Sequence, residues 1–95
     1  GFINLRYDMT GLLYWRVDNW SEDPWRALKV TGDPNNYPAG EGMLLYPGEA
    51  VGVNGVVPSI RLKWLREGVE DYEYGQLLKT LGKREVLEPA VQRVV

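Results

Sequence analysis

Residues 58–82 constrain the fold of this 95-residue chain more than any other stretch. Pro58 precedes Ser59, a natural N-cap. Helical spacing then runs from Ile60 to Leu81, and Gly82 ends it. At about 100° per residue, Ile60, Trp64, Leu65, Gly68, Val69, Tyr72, Gly75 and Leu78 share one broad arc. Lys63, Arg66, Glu67, Glu70 and Glu73 occupy the opposite side. Gly68 and Gly75 lie inside the apolar arc, where each costs about 1 kcal/mol relative to Ala, so a closely packed neighbour is expected there. Asp71 also projects into the arc, near Trp64 and Gly75, and is expected to need a structural partner. Arg61 falls in the first turn at the centre of the arc. It can aim its guanidinium at a carboxylate of the protein or of a bound molecule.

The remaining chain reads as short pieces. Residues 2–9 have loose helical spacing and resemble the end of a helix, with Gly11 as its terminator. Gly11-Leu12-Leu13-Tyr14-Trp15-Arg16-Val17 and Gly42-Met43-Leu44-Leu45-Tyr46 read as strands covered on both faces, because strict alternation fails in each. Between them, Asp23-Pro24 can begin one or two helical turns, and Asp33-Pro34-Asn35-Asn36 is a turn signal within the aperiodic stretch 31–42. Residues 49–57 read as a loop, and 83–94 as a short helix that Pro89 kinks or breaks. Two buried strands rarely make a stable domain alone. The expected architecture is therefore α/β: one unit, residues 1–95, forming the C-terminal fragment of a (β/α)8 barrel. Residues 1–10 would end a preceding helix, 11–57 supply two parallel strands with ligand-side loops, and 58–95 supply a closing long helix plus a short terminal helix.

Composition excludes several chemistries. The chain has no Cys and no His, so disulfide frameworks, thiol nucleophiles, Ser–His–Asp machinery and the usual metal sites are ruled out. No cofactor is implied. A net charge of −2 gives no reason to expect nucleic acid as a partner. The apolar runs fall far short of the roughly 20 residues of a membrane span. No basic segment followed by an apolar one opens the chain, so no secretory leader is expected.

The compositional excess is aromatic. Four Trp are present, and Trp15, Trp20 and Trp25 recur at five-residue intervals within a run that also holds Asp18 and Asn19. Indole faces stack on the C–H face of a pyranose while Asp and Asn bond its hydroxyls, so the run suits sugar recognition. Each Trp singly is equally at home filling a core or pinning a loop. Glycosidic-bond hydrolysis needs paired carboxylates, but the spacing of Asp18, Glu22, Asp23 and Glu41 selects no pair, and solvated loop acids are the default. Gly48, Gly52 and Gly55 lack the spacing of a phosphate cradle.

Five motifs occur in order: Gly11-Leu12-Leu13-Tyr14-Trp15, Asp23-Pro24-Trp25, Gly40-Glu41-Gly42-Met43-Leu44-Leu45-Tyr46-Pro47-Gly48, Pro58-Ser59-Ile60-Arg61-Leu62, and Leu65-Arg66-Glu67-Gly68-Val69-Glu70-Asp71-Tyr72-Glu73. Over residues 11–81 the chain resembles the C-terminal portion of large bacterial glycoside-hydrolase-like proteins related to glycoside hydrolase family 123. The resemblance implies a (β/α)8 barrel in the parent protein. It also implies retaining β-N-acetylgalactosaminidase chemistry, in which the substrate's own 2-acetamido oxygen attacks the anomeric carbon. The family's catalytic Asp–Glu pair belongs to an earlier strand. Glu22-Asp23 has the reverse order and follows the wrong strand, so the catalytic acids are expected to lie elsewhere. Trp15, Asp18, Asn19, Trp20, Trp25, Tyr46 and Arg61 are then candidates for substrate-binding walls. The expected partners are a carbohydrate substrate and the rest of the parent polypeptide, with self-association of the isolated chain. A non-catalytic carbohydrate-binding unit and a purely structural barrel-closing segment are the alternatives.

Overall fold

A computed structural model of the chain describes residues 1–30 and 32–94. Thr31, which opens the aperiodic stretch, and Val95, which ends the closing segment, lie outside the described residues. The elements are α1 (Phe2–Arg6), β1 (Leu45–Pro47), a 3₁₀ turn (Glu49–Val51), β2 (Val56–Pro58), α2 (Ile60–Thr80) and α3 (Arg84–Gln92). They form two compact units: Gly1–Leu12 together with Trp64–Val95, and Leu13–Lys63.

In the Leu13–Lys63 unit, β1 and β2 pair antiparallel, with Leu45 opposite Pro58, Tyr46 opposite Val57 and Pro47 opposite Val56. The Gly48 N–H donates to the Gly55 carbonyl at 2.8 Å and closes the hairpin. Two proline-limited strands of three residues leave no apolar alternation to read, so residues 49–57 resemble a loop until the pairing is seen. The expected strand over 42–46 appears as β1, displaced toward Pro47. The expected strand over 11–17 has no ladder. Its backbone meets the 42–46 segment at Val17, whose carbonyl accepts N–H groups from Leu44 at 2.8 Å and Leu45 at 2.9 Å, next to an antiparallel bridge between Asp18 and Met43. The 11–17 segment forms no named strand, and the one bridge beside it is antiparallel. Among the described residues between these segments, 18–30 and 32–42, turns are built on aspartates. Asp23 Oδ1 accepts the Trp25 N–H at 3.0 Å, and the Asp33 carboxylate accepts the N–H groups of Asn35 at 2.9 Å and Tyr37 at 3.0 Å. The core of this unit is Met43, Leu44 and Tyr46.

In the other unit, Leu5 of α1 meets Leu87 and Val91 of α3, with Tyr72 and Leu78 of α2 packed against them. The long helix begins as its sequence predicts: Ser59 Oγ accepts the Leu62 N–H at 3.2 Å. It closes with Lys83 N–H donating to the Leu78 carbonyl at 2.8 Å, a six-to-one bond that caps the last turn. α3 continues through Pro89, because Leu87 and Val91 anchor it on both sides of the missing N–H. Asp71 is exposed and needs no partner, contrary to the expectation from its place on the arc. Among the described residues no helix is long and apolar enough to cross a membrane.

Gly75 shows why the arc tolerates glycine. It is buried, and a Cβ there would press into both methyl groups of Leu5. Gly75→Ala should therefore lose net stability, with crowding of about 1–3 kcal/mol exceeding a helix-propensity gain of about 1 kcal/mol. In a Leu5→Ala background the same substitution fills space and should become stabilising. Urea unfolding of the four proteins reads this reversal of sign.

Candidate functional site

The seven residues from Glu41 to Pro47 organise the Leu13–Lys63 unit. The three tryptophans donate to successive points along this strip. Trp15 Nε1 reaches Glu41 Oε1 at 2.9 Å, Trp20 Nε1 reaches the Leu45 carbonyl at 3.1 Å, and Trp25 Nε1 reaches the Pro47 carbonyl at 2.8 Å. These three indole N–H groups are thus satisfied within the protein, and for the part-buried Trp20 that bond avoids the cost of an unpaired donor. The rings are fixed as a consequence. Trp15 stacks on Tyr37 with centroids 4.8 Å apart, and Trp25 tilts against Tyr46 at 5.0 Å. Trp15 nevertheless remains 44% exposed and Trp25 40% exposed.

Arg61 also holds the strip. Its Nη2 donates to the Met43 carbonyl at 2.6 Å and to the Tyr46 hydroxyl at 2.8 Å. The guanidinium carbon lies 6.0 Å from the Tyr46 ring centroid, within cation–π range. The acceptors are a carbonyl and a phenol, so neither is a carboxylate. The Arg61 Nε is buried without a hydrogen-bond partner.

The structure sorts the seven predicted residues into groups. Trp25, Tyr46 and Arg61 line one cleft of about 380 Å³, together with Pro24, Leu28, Ser59 and Ile60. That volume falls within the usual range for small-molecule sites. Trp15 and Asn19 gather instead around Glu41 and Gly42, the Asn19 N–H donating to the Gly42 carbonyl at 2.8 Å. Trp20 is anchored on β1. Asp18 turns to Arg16 at 3.1 Å, a solvent-exposed pair of little energetic weight. Asp23 and Asp33 serve turns, and Glu22 is exposed. Among the described residues no group of three His, Cys, Asp or Glu side chains is placed to hold a metal ion.

Sequence reasoning did not select Tyr37 or Ser59. Tyr37 sits in an aperiodic stretch, and its contact with Trp15 spans a turn that no period reveals. Ser59 was legible only as a helix cap. Glu41 had a signal, since glycines flank it on both sides.

The catalytic-domain model of glycoside hydrolase 123 matches residues 1–78. The chain belongs to that family. Membership ties it to glycoside hydrolysis and gives the aromatic strip a chemical context. No curated protein matches the chain.

Arg61→Lys should destabilise the unit by about 1–3 kcal/mol, because one ammonium cannot reproduce the planar two-acceptor geometry and leaves a buried acceptor short. Thermal unfolding checks it, and Tyr46→Phe, which removes one acceptor only, should cost less.

Proposed function

We propose that this glycoside hydrolase 123 chain supplies part of the carbohydrate-binding wall for an N-acetylhexosaminide substrate and leaves the catalytic acids to other segments of the protein. The observation that carries the reading is the locking of the indoles. With their N–H groups held by the 41–47 strip, Trp15 and Trp25 present rigid, partly exposed aromatic surface. Such surface loses little conformational entropy when a pyranose stacks on it. The Trp25–Tyr46–Arg61 cleft adds polar atoms beside one of these rings. The substrate class rests on the resemblance to family 123, and the assignment of the acids elsewhere rests on the uses to which Asp18, Asp23 and Asp33 are put.

The same proposal places both units within a (β/α)8 barrel. Its support is apolar surface that lacks cover: Leu12 is 66% exposed, Leu13 88% and Trp64 66%. Large apolar side chains left this exposed are suited to cover by a neighbour. The neighbour would be the rest of the parent polypeptide, and the isolated 95-residue chain should self-associate, which light scattering measures.

Trp20 and Arg61 favour a second reading for themselves. Both are bonded to the strip and, unlike the exposed Trp25, both are part-buried, which favours structural members of the wall over ligand contacts.

The full-length protein should hydrolyse an aryl N-acetylhexosaminide. Trp25→Ala should raise KM about threefold to tenfold, the value of one aromatic stacking contact, with kcat less affected. Trp20→Ala should lower the melting temperature without changing KM. A folded wild-type protein that neither turns over nor binds such glycosides would overturn the reading.

A further inference from the structure

The loop Gly40-Glu41-Gly42 holds one carboxylate with unusual completeness. Both glycines adopt left-handed backbone conformations, φ +81° at Gly40 and +73° at Gly42, and both are buried. A Cβ at Gly40 would stand 3.1 Å from the Arg61 guanidinium carbon. One at Gly42 would stand 2.6 Å from the Asn19 Cβ and 2.9 Å from the Trp15 ring. Both backbones favour glycine; at Gly42 space excludes a side chain as well, whereas at Gly40 a Cβ would crowd the Arg61 guanidinium. The loop's backbone is bonded as well: Gly40 N–H to the Leu28 carbonyl at 2.6 Å, Glu41 N–H to the Pro38 carbonyl at 3.0 Å, and Gly42 N–H to the Tyr14 hydroxyl at 3.0 Å. The Glu41 side chain is then oriented by the Trp15 indole, which donates to Oε1 while its ring rests on Tyr37.

No ion pair among the described residues includes Glu41. An ionised carboxylate has about four acceptor positions, and a single neutral N–H fills one of them. Helix caps and turns explain Asp23 and Asp33 fully, but Glu41 caps nothing. A pre-aimed carboxylate with spare acceptor capacity beside an exposed aromatic ring matches what a sugar presents: hydroxyl donors along one edge and C–H groups on one face.

We propose that Glu41 and Trp15 form a sugar-hydroxyl-binding subsite separate from the Trp25–Tyr46 cleft. Glu41 accepts pyranose hydroxyls and Trp15 stacks on the ring. This subsite rests on the carbohydrate reading above and assigns Glu41 a binding role, not that of acid or nucleophile.

The test titrates the full-length protein with methyl β-N-acetylgalactosaminide and methyl β-N-acetylglucosaminide by calorimetry. Melting temperature and near-ultraviolet circular dichroism are followed in parallel. Glu41→Gln keeps an oxygen to accept the Trp15 N–H but removes the charge. It should leave melting and the aromatic signal unchanged while weakening binding about tenfold, the value of a hydrogen bond to a charged group. Trp15→Phe keeps a ring against Tyr37 and frees the carboxylate. It should weaken binding in the same direction, and the double variant should be no worse than the sum of the two. Equal binding by wild type and Glu41→Gln would overturn the subsite and leave the carbohydrate reading standing. Loss of binding only together with loss of the aromatic signal would show that Glu41 merely props the loop, which also overturns it. No binding of either glycoside by the folded wild type would overturn both readings.

Discussion

The Leu13–Lys63 unit depends on three indole N–H donors finding acceptors on one strip of chain. Trp15, Trp20 and Trp25 reach Glu41, Leu45 and Pro47, and these bonds hold a long polar loop against a hairpin too short to be stable alone. Each bond contributes only about 1 kcal/mol net, but an unmatched buried donor would cost more than that. The arrangement therefore specifies position more than it adds stability. Arg61 performs the complementary task from α2, engaging the Met43 carbonyl and the Tyr46 hydroxyl.

Trp15 and Trp25 are held by their nitrogen ends and each packs on one tyrosine, Tyr37 and Tyr46 respectively. Anchoring and exposure coexist in Trp15 and Trp25, whose nitrogens are bonded within the protein while the residues stay 44% and 40% exposed. The family relationship to glycoside hydrolase 123 then supplies the chemistry such side chains would serve. The acids do not fit that chemistry in the same way. Asp18, Asp23 and Asp33 are engaged with Arg16 or with backbone N–H groups, whereas Glu41 accepts the Trp15 N–H and joins no ion pair among the described residues.

Helices were legible at the level of single residues. Ser59 caps α2, the turn after Leu81 closes it, and Gly75 lies against Leu5 as an apolar-arc glycine should. All three follow from local stereochemistry and a 3.6-residue period. The strands were not legible in the same way. β2 is three residues long and ends in Pro58, so period-two patterning has no length over which to appear. Residues 11–17 have strand-like composition but lack a neighbour on both sides, and β-propensity without pairing does not make a strand. Site residues divide similarly: Trp25, Tyr46 and Arg61 meet in one cleft, whereas Trp15 and Asn19 meet elsewhere and Asp18 turns away.

The sequence by itself determined the long helix and its caps, the aspartate turns at 23 and 33, the exclusion of His- and Cys-based chemistry, and the kinship with family 123. These depend on residue type, order and short-range geometry. Tertiary structure decided which way the 11–17 and 42–46 segments run against each other, which acceptor each indole finds, and that Arg61 addresses a carbonyl and a phenol. Those outcomes depend on contacts 15 to 30 residues apart along the chain, such as Trp15 with Glu41, Arg61 with Tyr46 and Gly42 with Tyr14. No local period encodes a contact of that separation; the turns between the partners do.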